Sequence, residues 1–401
     1  MMSTHLLPDD PALPGLAAIR AGGLTRAIPA LGLEPVDLRL VGYSRGNRAT
    51  LEARTGGRRV AVKCYAKQPE SEASVYRALA VAGLTGDGAG VRVPRLLAMQ
   101  EELRILVIGW LEGPTARDLI LQSQGERAGE LAARWLRCAA SLDVRLGHVA
   151  GAGEILSRLH EWIAALGAAD ASLGTEAAAL ADCMSDTVPP ESDDHLVHGR
   201  LYSRHVLEVG DACGVIDWDR FGQGPLEVDA GMFLATLWRS RQHADMASEA
   251  SRAEQSFRGA TTGFLDEARL AWYRAGALLS LASHLLTRAG GDCLGRAHAM
   301  LREARRGLEA GRALSLGRHE EGVPLAHWGR ASVIAVAPVD ERWRSFMDEV
   351  ATLADELFHG DTAALVCQLV RARDVNVEDL ARVIDLLQAR EKEMEMEGEL
   401  R

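Results

Sequence analysis

Within the stretch HLVHGRLYSRHVLEVGDACGVIDWD, residues 195–219, five side chains are of types that bind phosphate, hold a cation or move a proton: His198, Arg200, His205, Asp217 and Asp219. Two short apolar runs, 206–209 and 214–216, flank Gly210-Asp211, a strong hairpin signal. If the runs pair antiparallel, His205 at the start of the hairpin lies beside Asp217 at its end. The loop from His198 to Arg204 then wraps over the same end. A carboxylate fixed at a strand end, beside a loop that can present a base, is what phosphoryl transfer with Mg²⁺ requires.

Such a hairpin needs a framework. Residues 1–37, rich in Pro, Gly and Ala, read as an N-terminal adapter. From Leu38 the runs LRLVGY, ATLEAR and RRVAVKCY, separated by SRGN and TGG, predict a small antiparallel sheet. The first turn, GYSRG from Gly42 to Gly46, is either a loop over nucleotide phosphates or simply a turn. In VAVK, alternation points Ala61 and Lys63 to one face and Val60 and Val62 to the other. Lys63, Lys67 and Lys392 are the only lysines in an arginine-dominated chain. After Pro69, ESEASVYRALAVAG predicts a helix with Ala73, Val75, Tyr76 and Leu79 on its apolar side and Gly83 at its end. Glu72, like its rival Glu70, lies in the first turn, where the helix dipole also favours a carboxylate. Residues 91–113 read as two more strands, and beyond Thr115 helical periodicity takes over, with helices near 128–146, 152–167, 174–186 and 245–259.

The residues His198-Gly199, Val206-Leu207, IDWD at 216–219, Gly224-Pro225 and Asp229 together resemble the signature of the aminoglycoside phosphotransferase and choline-kinase-like superfamily. In that family the pattern runs His-Gly-Asp, four residues, Asn, then Ile-Asp-Trp-Asp or Glu. The resemblance, over roughly residues 38–315, implies an α+β, two-lobe protein-kinase-like fold. Residues 38–115 would form a small antiparallel β N-lobe and residues 116–317 a mostly helical C-lobe. It also implies ATP and Mg²⁺ as cofactors, with Lys63 gripping phosphates, Glu72 pairing with that lysine and Asp217 holding the metal. Ile108 and Leu111 would line the adenine site, and Gly42 and Gly46 the phosphates. Asp229 would brace the catalytic loop, or with Glu227 serve a cationic acceptor.

Two central positions depart from the pattern. The family's catalytic aspartate is Arg200 and its metal-binding asparagine is His205. A guanidinium stays charged and accepts no hydrogen bond, so Arg200 cannot be the base. Loss of a positioned base costs about 10²- to 10⁴-fold in rate, and Mg²⁺ prefers oxygen to imidazole ligands. Neither loss forbids nucleotide binding.

Three functional readings follow. The first is a catalytically degenerate phosphotransferase that binds ATP-Mg as a nucleotide-dependent sensor or scaffold. The second is an active small-molecule kinase, its hydroxyl acceptor perhaps a cation, in which Asp219 or the substrate replaces the base. The third is a regulatory protein that binds a small ligand without nucleotide. ATP and GTP are not distinguished.

Residues 318–342 break the helical pattern and read as a linker, and 343–401 as a helical tail. In the tail Leu380, Val383, Ile384 and Leu387 form an apolar stripe that needs a partner. The segment 356–391 resembles the C-terminal dimerisation segment of penicillinase-repressor regulators, implying a homodimer; a tail folded on its own lobe is the alternative. The net charge of −11 argues against a nucleic-acid partner and favours cationic small molecules. Six scattered cysteines predict neither disulfides nor a zinc site and suit a reducing cytoplasm. The N-terminus lacks a basic start followed by an apolar stretch, and no run reaches the roughly 18 apolar residues of a membrane span.

Overall fold

Side-chain alternation decides how the N-lobe is layered. The computed structural model describes residues 7–29, 37–55, 57–190, 194–286 and 293–320. The chain divides into two units, Met1–Trp328 and Gly329–Arg401, and every described residue lies in the first. The expected tail helices and dimerisation stripe therefore lie outside the described residues. Two short helices, α1 (Pro14–Gly22) and α2 (Leu24–Ala27), precede the strands β1 (Asp37–Ser44), β2 (Arg48–Thr55) and β3 (Arg58–Tyr65). Val60, Val62 and Cys64 of β3 join Leu51 and Ala53 of β2 in an apolar layer closed by Leu13, Leu16 and Ile19 of the N-terminal segment. Residues 7–29 are thus more than an adapter. They cover the outer face of the sheet, which would otherwise expose a row of buried-type side chains.

Ala61 and Lys63 take the opposite face, as the alternation predicts, and meet helix α3 (Glu70–Val81), whose buried residues include Glu72, Ala73, Val75, Tyr76 and Leu79. A short strand β4 (Val91–Arg92) follows, then β5 (Leu96–Gln100) and β6 (Ile105–Gly109). The five-stranded sheet has the order β1-β2-β3-β6-β5, all neighbours antiparallel.

The chain leaves this sheet through Gly113, whose φ of 144° and close approach to the Glu208 carbonyl leave no room for a side chain. Thr115 then caps α4 (Ala116–Leu121): its hydroxyl accepts from Asp118 N at 3.1 Å while Asp118 Oδ2 accepts from Thr115 N at 3.0 Å. Helix α5 (Gly125–Ser141) runs through the core with Trp135 fully buried. It ends before the expected 146, because Leu142 is already extended.

The remaining elements are β7 (His148–Val149), α6 (Ala152–Ala169), α7 (Ala171–Asp186), β8 (His195–Val197), β9 (Val206–Val209), β10 (Ala212–Val215) and β11 (Gly222–Gly224). Four helices close the described chain: α8 (Glu227–Arg241), α9 (Ala247–Thr261), α10 (Glu267–Leu285) and α11 (Cys293–Glu320), the last running three residues beyond the expected lobe boundary at 317. Two small sheets, β4-β10-β9 and β7-β11-β8, hold the loop between β8 and β9 from either side. No described helix is long and apolar enough to cross a membrane.

Candidate active site

Register brings the charged groups together. Lys63 lies opposite Thr50 and Tyr65 opposite Arg48, so all four share the inner face of the sheet. The Lys63 ammonium, 4% exposed, donates to Glu72 Oε1 at 2.5 Å and to Asp217 Oδ1 at 2.9 Å. Tyr65 donates to the other Glu72 oxygen at 2.5 Å. Glu70 pairs instead with Arg77 on the exposed side, which separates the two candidate acids.

Arg48 completes the cluster. Its guanidinium donates to Asp217 Oδ1 at 3.0 Å and to Asp219 Oδ2 at 3.1 Å. The alternation of Arg48, Thr50 and Glu52 against the apolar Ala49, Leu51 and Ala53 was the available signal.

The hairpin joins β9 and β10 in the expected register, and Val215 pairs with Val206. His205 consequently sits with Nε2 3.5 Å from Asp217 Oδ2. Asp217 holds a φ of 70°, a left-handed conformation that costs a non-glycine residue roughly 1–2 kcal/mol. Burial raises its proton affinity, but Lys63, His205 and Arg48 outweigh this and hold its carboxyl well below the usual range.

The catalytic loop is braced from beneath by Asp229. Its carboxylate accepts from His198 N at 2.8 Å, Gly199 N at 2.9 Å and Trp135 Nε1 at 3.0 Å. Burial nevertheless raises its pKa above the ordinary value. Gly199, with φ of 73°, lies so close to the Arg220 carbonyl that any side chain would collide.

His198 is fully buried. Its Nε2 donates to Ile216 O at 2.8 Å and its Nδ1 accepts from Arg200 N at 3.3 Å. Both ring nitrogens are thereby bonded to backbone groups, one after the hairpin and one in the loop. Arg200 lines a cavity beside the loop, with Nη1 3.9 Å from Asp219 Oδ2. Asp219 Oδ1 is buried without a hydrogen-bond partner. Glu227 is buried too, accepting from Asp266 N at 2.9 Å, so it and Asp229 serve as braces.

The remaining predicted contacts are placed as follows. Ile108 is buried opposite Ala61 on β6, and Leu111 is half-buried and near Gly214. Gly42 lies at a bulge in β1. Gly46 donates its amide to Asp10 Oδ2 at 2.7 Å, and Tyr43 donates to the same oxygen at 3.0 Å. A carboxylate from the N-terminal segment thus holds the Gly46 amide of the GYSRG turn.

The donor set does not fit Mg²⁺ in this arrangement. Both Asp217 oxygens face cations, one Asp219 oxygen is bound by Arg48, and an imidazole replaces the family's amide oxygen. Among the described residues no group of three or more His, Cys, Asp or Glu could hold a metal ion.

His205 supplies a pH test. Its Nδ1 donates to Arg200 O at 3.0 Å. Burial, joined by the charges of His198 and Arg204, lowers its pKa well below 6.5 despite Asp217. The unfolded chain takes up this proton near pH 6.5, whereas the folded chain does so only at lower pH. The unfolded state therefore binds more protons in that window, and stability falls as pH drops by up to about 1.4 kcal/mol per unit. Denaturant melts between pH 7.5 and 5.5 are expected to show this slope in the wild type and a shallower one in His205→Asn.

A five-stranded antiparallel lobe over a helical lobe, with a buried lysine–glutamate pair facing a strand-end aspartate, defines a kinase-like fold. The model of the Phosphotransferase enzyme family matches residues 37–273, more than half of the chain. The chain belongs to that family. No curated protein sequence matches it.

Among solved structures, a thermostable mutant of the aminoglycoside phosphotransferase APH(4)-Ia, in ternary complex with ADP and hygromycin B, is 18% identical with a TM-score of 0.50, covering 69% of this chain and 96% of that one. Choline kinase LicA from Streptococcus pneumoniae is 15% identical with a TM-score of 0.51, covering 72% of this chain and 98% of that one. At these identities the likeness speaks for the fold.

Proposed function

We propose that the chain binds a nucleoside triphosphate in the cleft beneath β1–β3, without acting as an efficient phosphotransferase, and serves as a nucleotide-dependent sensor or scaffold. The observation that carries this reading is the Arg48 guanidinium bridging Asp217 and Asp219 at 3.0 and 3.1 Å. A fixed organic cation there supplies the positive charge that a metal supplies in phosphoryl-transfer sites. Lys63 has a third donor left for a phosphate after Glu72 and Asp217.

Proton acceptance is what the site lacks. Arg200 has no acceptor; of the two Asp219 oxygens, Oδ2 faces Arg48 and Arg200 and Oδ1 is buried.

The test sets binding against turnover. ATP is expected to raise the melting temperature of the wild type, while phosphate release stays at least 10²-fold below the 1–100 s⁻¹ typical of kinases. Release within that range, with any hydroxyl acceptor, would show a working enzyme instead.

A further inference from the structure

Beside the catalytic loop lies a cavity of about 210 Å³ whose charge is opposite to that of the chain as a whole. Arg158 of α6, Arg200 and Arg204 of the loop, Arg220, and Arg239 of α8 all line it, against one carboxylate, Glu154. Glu154 is itself paired with His148 at 3.1 Å. The chain carries a net charge of −11, so five guanidiniums around one small space do not reflect composition.

Two of them hold only long ion pairs. The carboxylates nearest Arg158 and Arg200, those of Glu161 and Asp219, are both 3.9 Å away, beyond hydrogen-bond reach. Arg204 stacks on the Tyr202 ring at 4.1 Å. Burial, and then the charges of Arg239 and Arg200, lower the proton affinity of Arg204; burial and Arg200 do the same at Arg220. Arginine does not deprotonate in proteins, so the group stays a concentration of positive charge around one space.

We propose that this cavity binds a compact organic phosphate. Guanidinium forks match phosphate oxygens two at a time, and several converging on one cavity suit a dianion better than a single carboxylate. Met232 and Leu281 line the same space and give the ligand's carbon skeleton an apolar wall. The cavity includes Gly199 and Arg200, which puts the ligand on the acceptor side of the nucleotide cleft. In that placement alone the inference rests on the nucleotide-binding reading above. The cationic ligand suggested by net charge is the opposite of what these walls recognise.

The test is a calorimetric and thermal-shift titration of the full chain at fixed ionic strength. The probes are glucose 6-phosphate, inorganic phosphate, succinate, choline and ATP. The proteins are the wild type, Arg158→Gln, Arg220→Gln and Lys63→Ala.

Glucose 6-phosphate is expected to stabilise the wild type, inorganic phosphate to do so more weakly, and choline not at all. Its affinity should fall at least tenfold in each arginine variant, while the response of those variants to ATP is unchanged. That second readout also shows that the variants are folded. Failure of ATP binding with this pattern otherwise intact would remove the nucleotide reading and leave the phosphate cavity standing.

Four results would overturn the proposal. They are stabilisation by choline rather than phosphate, equal binding of succinate, a phosphate response lost in Lys63→Ala but kept in the arginine variants, and no response to any anion.

Discussion

Lys63→Met is expected to cost about 3–5 kcal/mol of folding stability and to abolish nucleotide binding. The first effect follows from burial. Lys63 and Glu72 are 4% and 5% exposed, and removing the ammonium strands a carboxylate whose other oxygen is held only by Tyr65. Breaking one side of a buried pair costs this much because the surviving charge stays desolvated. Asp217 suffers less, since Arg48 still reaches both of its oxygens.

The two effects separate in the double variant Lys63→Met/Glu72→Leu. Replacing both charges with apolar groups of similar volume is often neutral or stabilising, so its denaturation midpoint should recover most of the loss. Nucleotide binding should not recover. A double variant that regains binding would show that Lys63 acts only through the fold.

Arg200→Asp/His205→Asn is expected to raise phosphate release from ATP by about 10²-fold or more over the wild type, the lower end of what a positioned base contributes. The first change places an acceptor where the guanidinium now lines the cavity. The second exchanges an imidazole for the family's amide beside Asp217. A colorimetric phosphate assay compares the double variant with the wild type. A double variant no faster than the wild type would mean that the missing base is not what limits turnover.

The parts of the site that were legible beforehand are those encoded by local periodicity. Alternation in VAVK put Lys63 on the face shared with Ala61 and opposite Val60 and Val62, and the Gly210-Asp211 turn put His205 beside Asp217, because a two-residue hairpin fixes which residues face each other. Helix α3 was readable from its apolar spacing and closing glycine.

Arg48 was not, because its partner Asp217 is 169 residues away and only the sheet register brings them together. Asp10 was hidden for the same reason: its contact with the turn at Gly46 depends on how residues 7–29 fold back over the sheet. The arginine cavity was missed for another reason. A net charge is a sum, and a chain of −11 can still gather five guanidiniums from α6, α8, the catalytic loop and the segment before β11 around one space. His198 drew a catalytic expectation from its motif, yet its ring is consumed by backbone groups on both sides.

The central claim is that the cleft keeps its grip on a nucleotide through Lys63 and Arg48 and needs no divalent ion to do so. Calorimetric titration of the wild type with ATP, once in excess EDTA and once in excess Mg²⁺, tests it directly. Saturable binding with dissociation constants within about tenfold of each other, a difference of about 1.4 kcal/mol or less, is the predicted result. Binding that appears only with Mg²⁺, or no heat in either titration, would contradict it.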